Sequence, residues 1–168
     1  MTEEKQESGL SKLEQEGEYA ADYLEELLDI ADFDGDIEID VENDRASVAI
    51  ISEDDSSKLQ RLVGDDASVL DALQELTRLA VQAQTGERSR LMLDVANYRV
   101  NRKAELRAVT QEAITQVQAR NEPVELDPMN PFERKVCHDV IAEADLVSES
   151  TGVEPNRRVV IFPADSDD

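Results

Sequence analysis

Arg134 and His138 are the residues whose types and spacing most clearly suggest chemistry. They are four positions apart on a predicted helix, where residues i and i+4 are neighbours on one face. A guanidinium there can bind phosphate while an imidazole donates a hydrogen bond or stacks on a base. Spacing alone favours a plainer alternative, in which Arg134 pairs with Glu133 or Glu143 and His138 makes a local contact.

Other cations could extend such a polyanion site. Arg157 and Arg158 precede a predicted final strand, and six Lys or Arg against two Asp or Glu over residues 88–107 give that segment a net charge of +4. Within it, Arg99, Arg102 and Lys103 lie at the start of a long predicted helix. The alternative for Arg157 and Arg158 is that they are solvent-facing charges on an edge strand. The alternative for the cations of the helix is that they form a solvated face paired with Glu105.

The composition excludes several classes of function. With 17 Lys and Arg against 40 Asp and Glu, the formal charge is −23, which opposes nonspecific binding to polyanions. No apolar run is long enough to span a bilayer, so we expect no membrane insertion and a cytoplasmic location. With only one Cys and one His, the chain lacks the ligands for nearly every metal site built from these residues. We expect Cys137 to be a small buried hydrophobic residue. Without a phosphate loop, a nucleophile elbow or paired carboxylates, we expect no enzyme and no cofactor.

Hydrophobic periodicity predicts an α+β protein of two small domains. To residue 96 the predicted order is helix, strand, strand, helix, helix, strand, including a hairpin over residues 37–51 and a short helix over 56–62. A long helix follows over 99–119, then a short strand at 124–126, a helix capped by Asn130 with Pro131 in its first turn, and a strand at 159–162.

These elements divide the chain into five predicted segments. Residues 1–17 read as a disordered acidic tail, 18–96 as the first domain, 97–120 as a connecting helix, 121–163 as the second domain and 164–168 as a second acidic tail.

Two stretches carry a family resemblance. Residues 128–134 (PMNPFER), His138 and residues 156–161 (NRRVVI) resemble the R-3-H domain, named for its Arg-x-x-x-His helix, as it occurs in the bacterial Jag (SpoIIIJ-associated) family. Upstream, residues 70–74 and 91–99 resemble the KH domain that precedes it in that family, and the predicted element order is that of a type II KH fold. The resemblance implies a noncatalytic protein that binds single-stranded RNA or DNA in the cytoplasm. It further implies post-transcriptional regulation linked to cell elongation, division or envelope control, with a second small KH protein as partner.

The loop of the KH-like domain departs from the family pattern. A KH loop has two glycines around basic residues, whereas this loop reads Gly64, Asp65, Asp66, Ala67. Two carboxylates would repel a phosphodiester, so we expect weak or no RNA binding there. This leaves contact to Arg134, His138, Arg157 and Arg158, with Arg99, Arg102 and Lys103 as secondary candidates. The alternative function is an acidic protein-interaction adaptor that docks a KH partner or the basic cytosolic parts of a membrane insertase.

Overall fold

A computed structural model describes residues 2–53 and 57–164 of the chain, with side chains from residue 9 onward. It divides into two compact units, Met1–Arg99 and Val100–Asp168. No helix in the described ranges is both long enough and apolar enough to cross a bilayer.

The first unit packs two helices on a three-stranded sheet. Its elements are α1 (Thr2–Ala31), β1 (Asp36–Glu42), β2 (Arg45–Ile51), two 3-10 turns (Leu59–Leu62 and Asp65–Ala67), α2 (Ser68–Thr85) and β3 (Met92–Val95). The sheet order is β1-β2-β3, with β1 antiparallel and β3 parallel to β2. The predicted order is therefore confirmed. The short helix expected over 56–62 is a 3-10 turn where it is described, and Ser56 lies outside the described residues.

The core of this unit follows the predicted alternation. Every second residue of β2, namely Ala46, Val48 and Ile50, is buried. They pack with Leu24 of α1 and Leu93 of β3 in one cluster. One helical position departs from the apolar periodicity of α2: Leu76 is exposed, and Thr77 is buried in its place because its hydroxyl donates to the Leu73 carbonyl, 2.7 Å away.

The start of α1 also differs from the prediction. Residues 1–17 read as a disordered tail, but the helix begins at Thr2. Its inner face continues upstream of Ala20, because Gly17 is buried and Leu13 is half-buried at helical spacing. Gly17 lies so close to the Ile39 side chain on β1 that a Cβ there would clash. The many acidic residues between these positions obscure the pattern.

The second unit packs two helices on another three-stranded sheet. Its elements are α3 (Tyr98–Arg120), which starts two residues before the unit, β4 (Val124–Glu125), α4 (Pro131–Glu143), β5 (Val147–Thr151) and β6 (Arg158–Phe162). The sheet is antiparallel in the order β4-β6-β5, so β6 is its central strand. The predicted cap of α4 is confirmed, since the Asn130 side chain accepts a 2.9 Å hydrogen bond from the Glu133 amide.

Helix α3 is part of the second unit's core, whereas the sequence predicts a connecting helix over 97–120. Leu106, Ile114 and Val117 pack against buried residues of α4 and β6. Val109 continues the apolar spacing of α3 but is exposed, and Thr110 is buried instead with its hydroxyl bonded to the Leu106 carbonyl. The predicted tail over 164–168 lies, apart from Ala164, outside the described residues.

Candidate nucleic-acid interface

Helix α4 positions both residues of the Arg-x-x-x-His motif. Its buried face is built from Val136, Cys137, Val140 and Ile141, which fix the helix on the sheet. Arg134 and His138 lie one turn apart beside that face.

Arg134 is buried and ion-paired. Its side chain donates through Nη1 to the Met129 carbonyl at 3.2 Å, and its Nη2 lies 2.6 Å from Glu154 Oε1. The residue is only 7% exposed. The expectation of an open cation is therefore wrong, because a carboxylate already occupies the guanidinium. The alternative prediction, that Arg134 pairs with Glu133 or Glu143, is also wrong. Glu133 pairs with Arg102, and Glu143 pairs with Arg107.

His138 is half-buried between two hydroxyl groups of β5. Its Nδ1 lies 2.6 Å from Ser148 Oγ and its Nε2 lies 2.8 Å from Ser150 Oγ. Burial lowers the pKa of His138, the Arg134 charge lowers it further, and Asp139 partly opposes both. The imidazole is therefore neutral at physiological pH, with one ring nitrogen donating and the other accepting. It orients β5 and supplies no positive charge.

The loop between β5 and β6 is held by two arginines. Arg157 Nη1 donates to the Gly152 carbonyl at 2.9 Å, and Arg134 binds Glu154 two residues farther along. We call residues 152–157 the arginine-held loop. Its Glu154 side chain is exposed, whereas the Arg134 side chain that it binds is buried.

Arg158 belongs to the sheet. Because β6 is central, the alternative of an edge strand is wrong. Arg158 Nη1 pairs with Glu125 Oε2 on neighbouring β4 at 3.3 Å, and its Nε is buried without a partner among the described residues. This pair ties β4 to β6.

The cations at the start of α3 differ in their roles. Arg99 donates through Nε to the Leu93 carbonyl at 2.7 Å and pairs with Asp71, so it stabilises the first unit. Arg102 pairs with Glu105 at 3.2 Å, as the alternative predicts, and also with Glu133 at 2.9 Å. Lys103 is exposed and has no ion pair within the described residues.

Phe132 and Lys135 form a feature that the sequence pattern did not reveal. Phe132 continues the apolar spacing of Val136 and Val140 on α4, but it is 52% exposed. It lies three residues before Lys135, which is exposed and makes no ion pair in the described ranges. Residues at i and i+3 are neighbours on a helix surface. An exposed ring beside a free ammonium is the combination that binds stacked bases and their phosphates.

Comparison with known proteins shows which proteins this chain is similar to. Residues 104–163 match the model of the R-3-H domain. RNA-binding protein KhpB of Clostridium symbiosum is 30% identical over 143 residues, which is 84% of this chain and 64% of that protein. The resemblance to the Jag family is therefore confirmed.

Two further KhpB proteins align over less of their length. The protein of Lactiplantibacillus plantarum is 30% identical over 83% of this chain and 42% of its own length, and that of Bacillus subtilis is 33% identical over 62% and 51%. The chain thus covers 42% to 64% of the length of these relatives.

The acidic loop of residues 64–67 has an unusual backbone. Gly64 has a φ of +73° and a ψ of −176°, a region that only glycine adopts readily, and Asp66 and Ala67 have φ values of +51° and +61°. The Asp65 and Asp66 side chains are exposed at the start of α2. A helix N-terminus attracts negative charge, whether of a carboxylate or of a phosphate. The two carboxylates therefore occupy the position at which a KH loop approaches the nucleic-acid backbone.

Cys137 is buried as predicted. It is fully inaccessible to solvent, and its Sγ lies 3.6 Å from Met129 Sδ. Burial raises the pKa of the thiol, although a hydrogen bond with Thr110 lowers it in part. The thiol is therefore protonated and unreactive at neutral pH. No group of three or more His, Cys, Asp or Glu side chains suited to a metal ion occurs in the part of the chain that the structure describes.

Proposed function

We propose that this Jag-family chain binds single-stranded RNA, without catalysis, through the first two turns of α4. The observation that carries the proposal is the exposed Phe132 ring beside the exposed Lys135 ammonium, which makes no ion pair with a described residue, on a helix fixed by its buried face. A base stacks on the ring, and Lys135 neutralises the phosphate next to it. Stacking on an aromatic ring contributes about 1–3 kcal/mol per base.

Single-stranded RNA fits this surface better than a duplex. The bases of a single strand can separate and stack on a ring, whereas the bases of an A-form helix stay paired and its major groove is too narrow for side chains. Single-stranded DNA offers the same stacking surface. A preference for RNA over DNA therefore requires a hydrogen bond from the protein to a 2′-hydroxyl group.

Arg134 supplies a second phosphate site when Glu154 leaves. A carboxylate and a phosphate oxygen pair with a guanidinium in the same geometry, so Glu154 occupies the position that a phosphate would take. The Glu154 side chain is 51% exposed, while that of Arg134 is 9% exposed. Displacement therefore requires only that the arginine-held loop releases one exposed side chain.

The remaining candidates take two roles in this proposal. Arg157 and Lys103, which make no ion pair with a described residue, support the RNA backbone. Arg99, Arg102 and Arg158 stabilise the fold through their carboxylate partners, and His138 positions β5. The Gly64–Ala67 loop stays away from RNA because of its two carboxylates.

The biological setting is proposed by analogy. The relatives carry the name RNA-binding protein, and their alignment with this chain spans both units. We propose post-transcriptional regulation in the bacterial cytoplasm, linked to cell elongation, division or envelope control, with a second small KH protein as partner.

An adaptor function is the second candidate, and the charge distribution favours it. A net charge of −23 and the pairing of Arg99, Arg102, Arg134 and Arg158 with carboxylates leave few free cations. In that case the chain docks a KH partner or the basic cytosolic parts of a membrane insertase, and binds little RNA.

The salt dependence of RNA binding distinguishes the two candidates. Fluorescence anisotropy with a labelled single-stranded RNA, repeated across a salt series, gives the slope of log affinity against log salt. Four phosphate contacts, at Lys135, Arg134, Arg157 and Lys103, predict a slope of about −2.8, or about −0.7 for each contact. Absence of binding at the lowest salt would contradict RNA binding and favour the adaptor.

A further inference from the structure

Strand β5 lies at one edge of the second unit's sheet. It is five residues long, Val147–Thr151, and its backbone pairs with β6 on one side only. The strand at the other edge, β4, has only two residues and follows Pro123, which has no backbone N–H to donate. β5 is therefore the edge of this sheet that is long enough to accept another strand.

β5 presents four open backbone groups on its outer side. The Leu126 amide donates to the Val159 carbonyl at 2.8 Å, so Val159 bonds towards β4. Successive residues of a strand bond to alternate sides, so the next residue of β6 bonds to β5, where its partner is Glu149. The amides and carbonyls of Ser148 and Ser150 therefore point away from the sheet. No hydrogen bond to any of these four groups occurs within residues 2–53 and 57–164.

The edge strands of the first unit are protected by side chains, in contrast to β5. On β3, the Leu93 amide donates to Gln74 Oε1 at 3.0 Å, and the Leu93 carbonyl accepts from Arg99 Nε at 2.7 Å. On β1, the Asp40 carboxylate accepts from the next backbone amide at 2.8 Å and is one of four acidic side chains along the strand. Occupied backbone groups and charged side chains both oppose the pairing of another strand. β5 has one charged side chain and open backbone groups, which favours such pairing.

Side chains on both faces of β5 suit a bound strand. On the inner face, the His138 ring contacts the hydroxyls of Ser148 and Ser150, which holds β5 extended and reduces the entropy lost on binding. On the outer face, Val147 is 64% exposed beside Phe162, its half-buried partner on β6. A bound strand would therefore cover apolar surface in addition to its backbone hydrogen bonds.

Glu149 indicates the charge of the partner. Two antiparallel copies of β5 can use all four open groups only when Ser148 of each copy lies opposite Ser150 of the other. That register places the Glu149 side chains of the two copies directly opposite each other, where like charges are destabilising. A lysine or arginine at the same position would instead form a cross-strand ion pair, and the net charge of −23 attracts a basic segment.

We propose that β5 binds an extended, basic segment of another protein as a fourth, antiparallel strand of this sheet. The segment carries a lysine or arginine opposite Glu149 and, two residues later, an apolar side chain opposite Val147. Its backbone pairs with Ser148 and Ser150. The backbone hydrogen bonds supply affinity, and the two side-chain positions supply specificity. The inference does not depend on RNA binding by α4.

A nuclear magnetic resonance titration of the isotope-labelled full chain tests the proposal, with the end-capped peptide Thr-Ser-Lys-Ser-Val as the probe. The amide signals of Ser148 and Ser150 should shift most, with a dissociation constant of about 1 mM at near-physiological salt. Glu149→Lys should weaken binding about five- to tenfold and favour a peptide with glutamate in place of the lysine. Glu112→Lys, at an exposed position of α3, changes the net charge equally and should leave the affinity unchanged.

Methylated peptides test the backbone pairing. N-methylation of both serines of the probe removes the two N–H groups that bond to β5 and should abolish binding. N-methylation of its lysine removes an N–H group that points away from β5 and should have little effect. Equal affinity of these two peptides would overturn the proposal, and so would unchanged amide signals of Ser148 and Ser150 in the titration. Shifts of those signals with protein concentration alone would assign the edge to a second copy of the chain and would also overturn it.

Discussion

Arg134 of α4 and Glu154 of the arginine-held loop form an ion pair of 2.6 Å in which the arginine is buried and the carboxylate is exposed. The two residues are twenty positions apart in sequence. The pair links the named motif of the R-3-H domain to the loop between β5 and β6. It makes the availability of Arg134 depend on whether Glu154 is displaced.

Removal of the Glu154 charge should strengthen RNA binding. Glu154→Gln keeps the size of the side chain but weakens its hold on Arg134, so a phosphate meets less competition, and we expect affinity for a single-stranded RNA to rise about three- to tenfold. Glu143→Gln is the control, because it frees Arg107 with the same change in net charge. Equal gains in the two variants would show that only net charge matters.

The acidic loop should repel RNA. Asp65→Arg combined with Asp66→Asn removes both carboxylates, and asparagine tolerates the φ of +51° at that position. We expect affinity for a single-stranded RNA to rise at least about fivefold in an anisotropy titration. The control, Glu38→Arg with Asp36→Asn on the exposed side of β1, changes the net charge equally. Unchanged affinity in the loop variant would contradict a repulsive role.

Stability should fall at acidic pH because of His138. Its pKa is lowered in the folded chain, so as the pH falls through about 6.5 the unfolded chain takes up a proton first. The contribution is complete above that pH and decreases below it. Urea denaturation near pH 7.5 and pH 5.5 should show a larger loss of unfolding free energy for wild type than for His138→Gln. The same loss in both proteins would exclude His138 as the source.

Gly64 should be the less replaceable of two glycines with positive φ. A Cβ at Gly64 would lie 2.5 Å from Val69 Cγ2, in addition to the strained backbone, so Gly64→Ala should lower the free energy of unfolding by about 3 kcal/mol. Gly86 has a φ of +78° with open space around it, so Gly86→Ala should cost only about 1 kcal/mol. Similar losses in thermal or urea melts would contradict the steric contribution of Val69.

The sequence predicts the elements well because their signals are local. Alternation in β2 and the Asn130-Pro131 cap of α4 depend on neighbouring residues, and both are present as expected. The buried threonines are harder to predict. Thr77 and Thr110 replace Leu76 and Val109 in the core because each hydroxyl binds a carbonyl one turn back, which hydrophobicity does not report.

The site was only partly predictable for a related reason. Spacing places Arg134 and His138 together on α4, but their partners Glu154, Ser148 and Ser150 come from later elements that fold back onto the helix. Phe132 continues the apolar spacing of α4, yet it is exposed. No local pattern distinguishes such a ring from a core residue.

The central claim is that the exposed ring of α4 binds RNA bases, and the direct test is the affinity of Phe132→Ala for a single-stranded RNA. Val109→Ala, at an exposed apolar position of α3, is the matched control. Loss of one stacked base should weaken binding about tenfold or more in Phe132→Ala, with circular dichroism unchanged, while the control binds as wild type does. Wild-type affinity in Phe132→Ala would contradict the claim.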